Sequence, residues 1–581
     1  MTGTGRKDGI RKAATQERES QPGPAPAGTR CPEQAAATHG RAAARSPGTA
    51  SSLPAFFLVA AFVAVAGAPL AAALAVSSRG GGLLASLGAA LAAPVTARAL
   101  SFALRQALAS MVLAVAVGLP GAWLCSRYDF PGRKLLKSLS VVPFCVPPIL
   151  IVLAFVVYYG RAGILNRALM GAFGLSQPPI TFLYSFWGLV LVHGFYNFPV
   201  VLQGVSATWS TLPRDREEAA RTLGAHPFRA FLTGSLPSLA PSIIQSAALV
   251  FLFCFFSFIP VLVFGPLGGT TLEVEIYRAA RFDGKEELAA ALSLIETVAA
   301  LGMVFVFQLM DRRNTAAARK AGSLQKRGRP RGGAAAALIA YGALVIVFFA
   351  GPLLSLVAQA FVVKRGLGGS SRIGFDNFAH LLSGNGPLLA SLMDSLATAL
   401  PAAIAASIFG SLLAVVLRGR KGGRAGEALV TLPLAVSGVV SALGWSIIAP
   451  SGSPAVVVLA LAATALPFSL RNVSSSLATL DKGPSQAARS LGAGRLRTTL
   501  EIDLPSIAPA LFSAAAFSFS LTAGDANAPL ILGSGGFQPL PVLIYRLVAA
   551  YRFPEASAVG LVLALLTGFV FFIKEQSDGR T

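Results

Sequence analysis

The chain has 581 residues, of which 54% are hydrophobic and only 13% are charged. A typical soluble chain has about 25% charged residues, so this composition excludes a string of soluble domains and predicts a polytopic membrane protein. The net charge of +23 does not indicate nucleic-acid binding, because most Lys and Arg lie in short loops between apolar runs. The four cysteines lack metal-ligand spacing and indicate neither a disulfide framework nor a zinc site.

Twelve apolar runs approach or exceed the length needed to cross a bilayer, which takes about 20 residues per helix. They lie at 55–76, 101–124, 138–158, 181–203, 241–265, 288–310, 334–361, 391–417, 427–449, 454–470, 506–532 and 557–573. The runs at 454–470 and 557–573 are the shortest of them. We therefore predict an all-α membrane protein with about twelve transmembrane helices.

Polar segments divide these runs into two sets of six. The predicted parts are a disordered tail (1–54) without a cleaved signal, a first half (55–310), a basic linker (311–333), a second half (334–573) and a C-terminal tail (574–581). The linker carries eight Lys or Arg and one Asp. This composition is typical of a solvated loop.

The distribution of basic residues predicts the orientation in the membrane. With the N-terminus in the cytoplasm, the cytoplasmic segments hold 35 of the 48 Lys and Arg, and the external loops hold 12. Such a bias follows the positive-inside rule. Both termini and the linker are therefore predicted to be cytoplasmic.

An internal repeat relates the two halves. Residues 218–241 (EAARTLGAHPFRAFLTGSLPSLAP) match residues 486–509 (QAARSLGAGRLRTTLEIDLPSIAP) at a constant offset of 268. The same offset relates Ile276-Tyr277-Arg278 to Ile544-Tyr545-Arg546. Six spans return the chain to the same side of the membrane, so the halves are predicted to be parallel repeats.

The repeated segment lies in a cytoplasmic loop between the fourth and fifth spans of each half. Glu218, at the positive end of a helix dipole, favours a short helix through Ala219 and Ala220. Gly224 can end that helix, and Leu236-Pro237 can start the next span. A short helix rigidly joined to two spans is suited to transmit a push from a cytoplasmic partner.

These residues resemble the coupling motif of binding-protein-dependent ABC importer permeases. The first copy matches at Glu218, Ala219, Ala220, Gly224, Leu236 and Pro237, and the second at Ala487, Ala488, Gly492, Leu504 and Pro505. Gln486 stands in the second copy where the family motif begins with an acidic residue. The resemblance covers about residues 55–573 and implies the type I importer permease fold, with asymmetric docking of the two loops.

The resemblance also implies the partners. Each coupling helix would sit in a groove on one of two ABC ATPase subunits, while a periplasmic binding protein delivers substrate. The sequence contains no G-x-x-x-x-G-K-[ST] phosphate loop. The chain is therefore expected to bind no cofactor and to be no enzyme, with ATP and Mg²⁺ used by the ATPase subunits. The implied location is a bacterial inner membrane.

Further segments resemble fused thiamine permeases. They are Tyr159–Gly163, Leu191–Pro199 and Thr270–Asp283 (TTLEVEIYRAARFD). Fused iron(III) permeases share the two-half layout and the loop at 127–133 (RYDFPGR). Thiamine is therefore the predicted cargo, iron(III) is the alternative, and polyamine, sulfate and molybdate stay open.

Acidic and aromatic groups along a pathway would suit an organic cation such as thiamine. The candidates for the pathway are Tyr277, Glu296, Asp394 and Tyr545. Intramembrane carboxylates are expensive and often functional, although Glu296 and Asp394 lie near span ends, where charges can snorkel. Glu273 and Glu275 fit ordinary solvated loop charges, and His193 and Asn197 fit packing between helices.

Two other classes of protein would explain twelve spans. A secondary transporter would need Gly-rich gating loops or paired midmembrane carboxylates at matching places in both halves. A membrane enzyme would need a cluster of His, Cys, Asp or Glu at one depth, but the four histidines are scattered at 39, 193, 226 and 380. Neither pattern is found, whereas the matched helical loops favour the importer.

Overall fold

Long apolar helices dominate the computed structural model. It describes residues 53–79, 81–138, 146–213, 215–265, 269–318, 327–364, 371–384, 386–418, 436–450, 452–481, 483–533 and 536–578. Within these ranges, ten helices are long and apolar enough to cross a membrane, and a pair bent by 65° makes an eleventh. The all-α polytopic fold predicted from the sequence is confirmed. Nearly all of the predicted tail at 1–54 lies outside the described ranges.

The first half follows the order of the predicted runs. Residues 139–145 of the run at 138–158 lie outside the described ranges, and the helix of the run at 241–265 already ends at Phe255. Its long helices are Leu53–Ser77, Pro94–Arg127, Pro148–Tyr159, Phe186–Trp209, Leu236–Phe255 and Glu286–Ala318. Its shorter helices are Leu83–Ala92, Arg133–Ser138, Ile164–Phe173, Phe182–Tyr184, Asp215–Thr222, Pro227–Ala230, Phe231–Ser235, Ile259–Phe264 and Leu272–Arg281. The sixth long helix continues into the predicted linker, of which residues 319–326 lie outside the described ranges.

The second half repeats this order. Its spans are Gly333–Val345 with Ile346–Ala350 and Gly351–Ala360, Pro387–Leu417, Gly438–Ile448, Pro454–Thr479, Leu504–Ser506 with Ala508–Gly524, and Phe553–Asp578. Its shorter helices are Asp376–Leu382, Gly483–Ser490, Arg495–Thr498, Thr499–Asp503, Asn527–Leu532 and Leu540–Ala549. Val362–Lys364 and Ser371–Ile373 form an antiparallel hairpin.

Several spans of the second half differ in length from the predicted runs. The run at 454–470 belongs to a helix that continues to Thr479, because polar residues extend it past the apolar stretch. Of the predicted span at 427–449, residues 427–435 lie outside the described ranges, and its described helix is Gly438–Ile448.

The offset of 268 holds for whole elements as well as for sequence. It relates Asp215–Thr222 to Gly483–Ser490, Phe231–Ser235 to Thr499–Asp503, Ile259–Phe264 to Asn527–Leu532, and Leu272–Arg281 to Leu540–Ala549. Both ends of each element agree. The predicted internal repeat is therefore present in the fold.

The first span of each half packs against the opposite half. On Leu53–Ser77, Phe62 lies in a buried cluster with Leu413 and Leu466, and the backbone of Pro69 lies so close to Gly444 that a Cβ there would be 2.3 Å from the Pro69 Cα. On Gly333–Ala360, Phe348 stacks on Phe195 at 5.0 Å between ring centroids. The two halves therefore exchange their first spans.

The second, fourth and fifth spans pack together within each half. Pro94–Arg127 lies along Phe186–Trp209 and Leu236–Phe255, and Pro387–Leu417 lies along Pro454–Thr479 and Ala508–Gly524. Small residues bring these helices close, as is usual in membranes. A Cβ on Gly118 would lie 2.7 Å from the Cβ of Val201, and one on Gly410 would lie 2.9 Å from the backbone nitrogen of Leu470.

Candidate functional site

Each repeated loop has a short helix at the predicted place. We call Asp215–Thr222 and Gly483–Ser490 the first and second loop helices. Among the motif residues, Glu218, Ala219, Gln486 and Ala487 are exposed, whereas Ala220 and Ala488 are half-buried. One face of each loop helix is therefore open to a partner.

Both loop helices end in the same hydrogen-bonded turn around a glycine. Gly224 donates its N–H to the carbonyl of Arg221, and Ala225 donates to Ala220, both at 3.0 Å. Gly492 and Ala493 repeat these bonds at 3.1 and 3.0 Å. This is the Schellman arrangement, which needs a left-handed residue, and φ is 84° at Gly224 and 91° at Gly492.

A leucine precedes each of these glycines and points into solvent. Leu223 and Leu491 occupy equivalent positions of the repeat and are each 88% exposed. Isolated exposed leucines are ordinary on protein surfaces, but two equivalent ones at the ends of two equivalent helices indicate paired contact points.

A π-helical turn leads from each loop into the fifth span. The turns are Phe231–Ser235 and Thr499–Asp503, and the spans begin at the predicted Leu236-Pro237 and Leu504-Pro505. In the first half the span runs unbroken to Phe255. In the second half it is bent by 65° after Ser506. The connection between the loop and the fifth span is therefore straight in the first half and bent in the second half.

An ion pair joins each loop to the end of the second span. Arg127 pairs with Glu217, whose carboxylate also accepts a hydrogen bond from Ser235 at 3.1 Å. Arg418 pairs with Asp503 at 2.8 Å, and Ser485 donates to the same carboxylate at 2.5 Å. The sequence motif does not identify these residues, because it begins at Glu218, the exposed neighbour of Glu217.

A second candidate region is a cavity of about 150 Å³ between the halves. The first half contributes Pro147 and Tyr196 to its lining, and the second half contributes Gly524, Asp525 and Asn527. Asp525 accepts a hydrogen bond at 2.6 Å from the backbone N–H of Asn527, which begins the next short helix. The cavity therefore has an acidic wall held by backbone contacts.

Two further carboxyls are buried in this region, and one of them is a neighbour of Asp525. Glu273 is 2% exposed and Glu296 is 1% exposed. Glu273 lies close enough to both Asp525 and Glu296 for like-charge repulsion, and Ser437 lies beside both glutamates. Within the described ranges, neither carboxyl oxygen of Glu296 has a hydrogen-bond partner, nor does Oε2 of Glu273. The sequence favours an ordinary solvated loop charge at Glu273. This prediction is wrong, because the structure buries the side chain.

The other predicted pathway residues occupy different surroundings. Tyr277 is 6% exposed and packs against Phe258 at 5.2 Å between ring centroids. Its repeat partner Tyr545 lies close enough to interact with it electrostatically. Asp394 accepts a hydrogen bond from the backbone N–H of Gln538 at 2.7 Å. The structure therefore gives Asp394 a contact that holds a loop, and it brings the two tyrosines together.

His193 lies at the centre of a buried hydrogen-bond network. Its Nδ1 lies 2.9 Å from Oε1 of Gln106, and its Nε2 lies 2.8 Å from Oγ of Ser257. Asn197 donates to the His193 carbonyl at 3.0 Å. The network joins the second and fourth spans to the segment that follows the fifth span, which agrees with the expected packing role. Across the described residues, no three His, Cys, Asp or Glu side chains could together hold a metal ion.

Several known proteins are similar to this chain. The thiamine transport system permease protein ThiP of Escherichia coli (strain K12) is 27% identical over 498 residues, covering 82% of this chain and 88% of that protein. The protein of the same description from Brucella abortus (strain 2308) is 27% identical over 83% of this chain and 87% of its own length. A solved bacterial ABC transporter involved in the import of the acidic polysaccharide alginate is similar with a TM-score of 0.34 and 18% identity, over 42% of this chain and 94% of that chain.

The family model described as "Binding-protein-dependent transport system inner membrane component" matches residues 114–320 and 406–578. Each match lies mostly within one half of the repeat and includes one loop helix. These segments make up more than half of the 581 residues. The chain therefore belongs to this family and is a membrane-spanning permease subunit of an ABC importer.

Proposed function

We propose that this permease imports thiamine. The observation that carries the proposal is the resemblance to two thiamine permeases over 82% and 83% of the chain, across both halves and the linker between them. The buried carboxyls of Glu273 and Glu296, together with Asp525 at the cavity, also support it. Thiamine is an organic cation, and a low-dielectric site strengthens its attraction to carboxylates.

The two loop helices are the proposed docking elements for two copies of an ABC ATPase. An amphipathic helix that lays apolar side chains into a groove is a common mode of recognition, and Leu223 and Leu491 supply such side chains at matched positions. The loops and both termini then face the cytoplasm of a bacterium. A periplasmic binding protein delivers the cargo at the opposite face.

ATP and Mg²⁺ are used by the ATPase subunits in this proposal, and the chain itself binds no cofactor. Its sequence has no phosphate-binding G-x-x-x-x-G-K-[ST] loop. Its basic loops orient the helices in the lipid membrane and bind no nucleic acid. ATP-driven movement of the two loop helices would open the cavity between the halves to one side and then to the other.

Uptake of labelled cargo tests the proposed substrate. We expect cells that lack this gene to lose ATP-dependent uptake of labelled thiamine and to recover it when the gene is restored. Labelled iron(III) is measured in parallel, because fused iron(III) permeases share this layout. Loss of iron uptake with normal thiamine uptake would reassign the cargo while leaving the permease assignment intact.

The glycines that end the loop helices provide a test of coupling. We expect Gly224→Val or Gly492→Val to reduce transport per ATP hydrolysed while the protein remains inserted. A non-glycine residue in the left-handed conformation costs about 1–3 kcal/mol, and a Cβ would meet no atom within 4 Å at either site. Each substitution therefore acts by straining the backbone at the end of the loop helix and not by a clash of the new side chain.

The matched control is Gly494→Val. Gly494 lies in the same loop as Gly492 but does not have a positive φ. A Cβ at this position would also meet no atom within 4 Å. Unchanged transport per ATP in both Gly224→Val and Gly492→Val would contradict the assignment of these loops to coupling.

A further inference from the structure

The two ion pairs described above are built from the same parts in exchanged positions. Glu217 and Ser485 are equivalent under the offset of 268, and so are Ser235 and Asp503. In the first half the loop helix supplies the acid and the π-helical turn supplies the serine. In the second half these roles are reversed. A carboxylate and a serine hydroxyl therefore meet at the same place in both halves.

The arginine comes from an equivalent place in each half. Arg127 is the last residue of the second span of the first half, and Arg418 follows the last residue of the second span of the other. Each therefore links the end of that span to the loop between the fourth and fifth spans. The same three segments meet in each half: the end of the second span, the loop helix and the π-helical turn. Of these three segments, only the second span contributes the same residue type, an arginine, in both halves.

Burial distinguishes these pairs from ordinary surface pairs. The side chains of Arg127 and Glu217 are 19% and 13% exposed, and those of Arg418 and Asp503 are 27% and 3% exposed. In contrast, the neighbouring pair of Arg497 and Glu501 is 72% and 60% exposed. Exposed pairs contribute little, whereas removing one partner from a buried pair leaves an uncompensated charge.

We propose that each set is a tether that passes the movement of its loop helix to the second span of the same half. Arg127, Glu217 and Ser235 form the first tether, and Arg418, Asp503 and Ser485 form the second. The second span lies along the fourth and fifth spans, so a pull on it reaches the helices that carry the cavity. The negative charge at the junction is what matters, whichever segment provides it. This inference rests on the proposed docking of ATPase subunits to the loops.

The test uses the full complex of permease, ATPase subunits and binding protein reconstituted in liposomes. Spin labels on the exposed Lys134, just beyond the second span of the first half, and on the exposed Leu412 of the other second span report the separation of these spans. In the otherwise unaltered complex, nucleotide binding should change that separation. In Glu217→Gln we expect most of this change to be lost, with transport per ATP lowered roughly tenfold.

Exchange variants distinguish a tether from a merely structural contact. Glu217→Ser combined with Ser235→Asp gives the first half the arrangement of the second, and should restore the nucleotide-driven change and transport per ATP to within about twofold of the unaltered complex. Ser485→Asp with Asp503→Ser makes the reverse exchange and should also remain coupled. The control is Glu501→Gln, which removes an exposed pair in the same loop and should change neither readout.

The outcomes separate this inference from the function on which it rests. If the unaltered permease retains no ATPase subunits, the proposed docking fails and the tether falls with it. If ATPase subunits are retained and Glu217→Gln keeps the full nucleotide-driven change, the tether alone is overturned. Failure of the exchange variants to recover, with normal insertion, would also overturn it, because the charge would then act only in its original position. The spin-label readout needs no knowledge of the cargo.

Discussion

Leu223→Asp combined with Leu491→Asp is expected to release the ATPase subunits from this permease. Each leucine is 88% exposed in the isolated chain, and burying such a side chain in a groove contributes about 1.5–3 kcal/mol. Both leucines contribute to one complex, so the losses of affinity for the ATPase subunits at the two sites multiply. An aspartate adds the cost of burying a charge, so the double variant should retain less than about a tenth of the ATPase that co-purifies with the unaltered permease.

Ile373→Asp is the matched control for this variant. Ile373 is 86% exposed but lies in the hairpin after the first span of the second half, away from both loop helices in the chain. We expect it to leave ATPase retention unchanged. Full retention in the double leucine variant, measured by co-purification from detergent-solubilised membranes, would refute the docking role of the loop helices. Each single leucine variant should give an intermediate loss.

The second large effect is expected at the buried carboxyls. Glu296→Gln and Asp525→Asn preserve shape but remove an ionisable carboxyl, whose charged form would attract a cationic cargo. Hydrogen bonds to charged groups contribute about 1.5–3 kcal/mol, so each variant should raise the KM for thiamine uptake by roughly ten- to a hundredfold. The measurement is the uptake of labelled thiamine over a range of concentrations, with the amount of inserted permease determined in parallel.

Glu286→Gln provides the control, since Glu286 lies in the first turn of the same helix as Glu296 and is exposed. It should leave the KM unchanged. An unaltered KM in both Glu296→Gln and Asp525→Asn would show that these carboxyls do not attract the cargo. A fall in kcat with constant KM would instead indicate a role in the opening of the cavity.

The repeat and most of the spans could be predicted because both are local properties of the sequence. A run of apolar residues signals a helix in lipid, and EAARTLGA and QAARSLGA can be compared directly. The ten-residue helices Leu272–Arg281 and Leu540–Ala549 were not predicted as helices. Each is too short to cross a bilayer, and the first also carries alternating charges that resemble a loop.

The tethers could not be predicted because they combine segments that are far apart and differ in residue type between the halves. Aligning Glu217 with Ser485 and Ser235 with Asp503 shows two mismatches, and only the structure shows that each mismatch compensates the other. The burial of Glu273 was missed for a related reason. Whether a charged residue next to a span meets water depends on what the other half places against it.

The exchange of first spans has a consequence for how the protein is made. Leu53–Ser77 is synthesised before the other described helices, but Leu413 and Leu466, which pack around its Phe62, follow hundreds of residues later. During that interval the helix must persist in lipid without its final neighbours. The helix contains no charged residue, so its exposure to lipid carries no cost of burying a charge in the bilayer. The earliest of the described helices is thus among the last to reach its native contacts, and a ribosome that stops within the first half leaves a product whose assembly is incomplete.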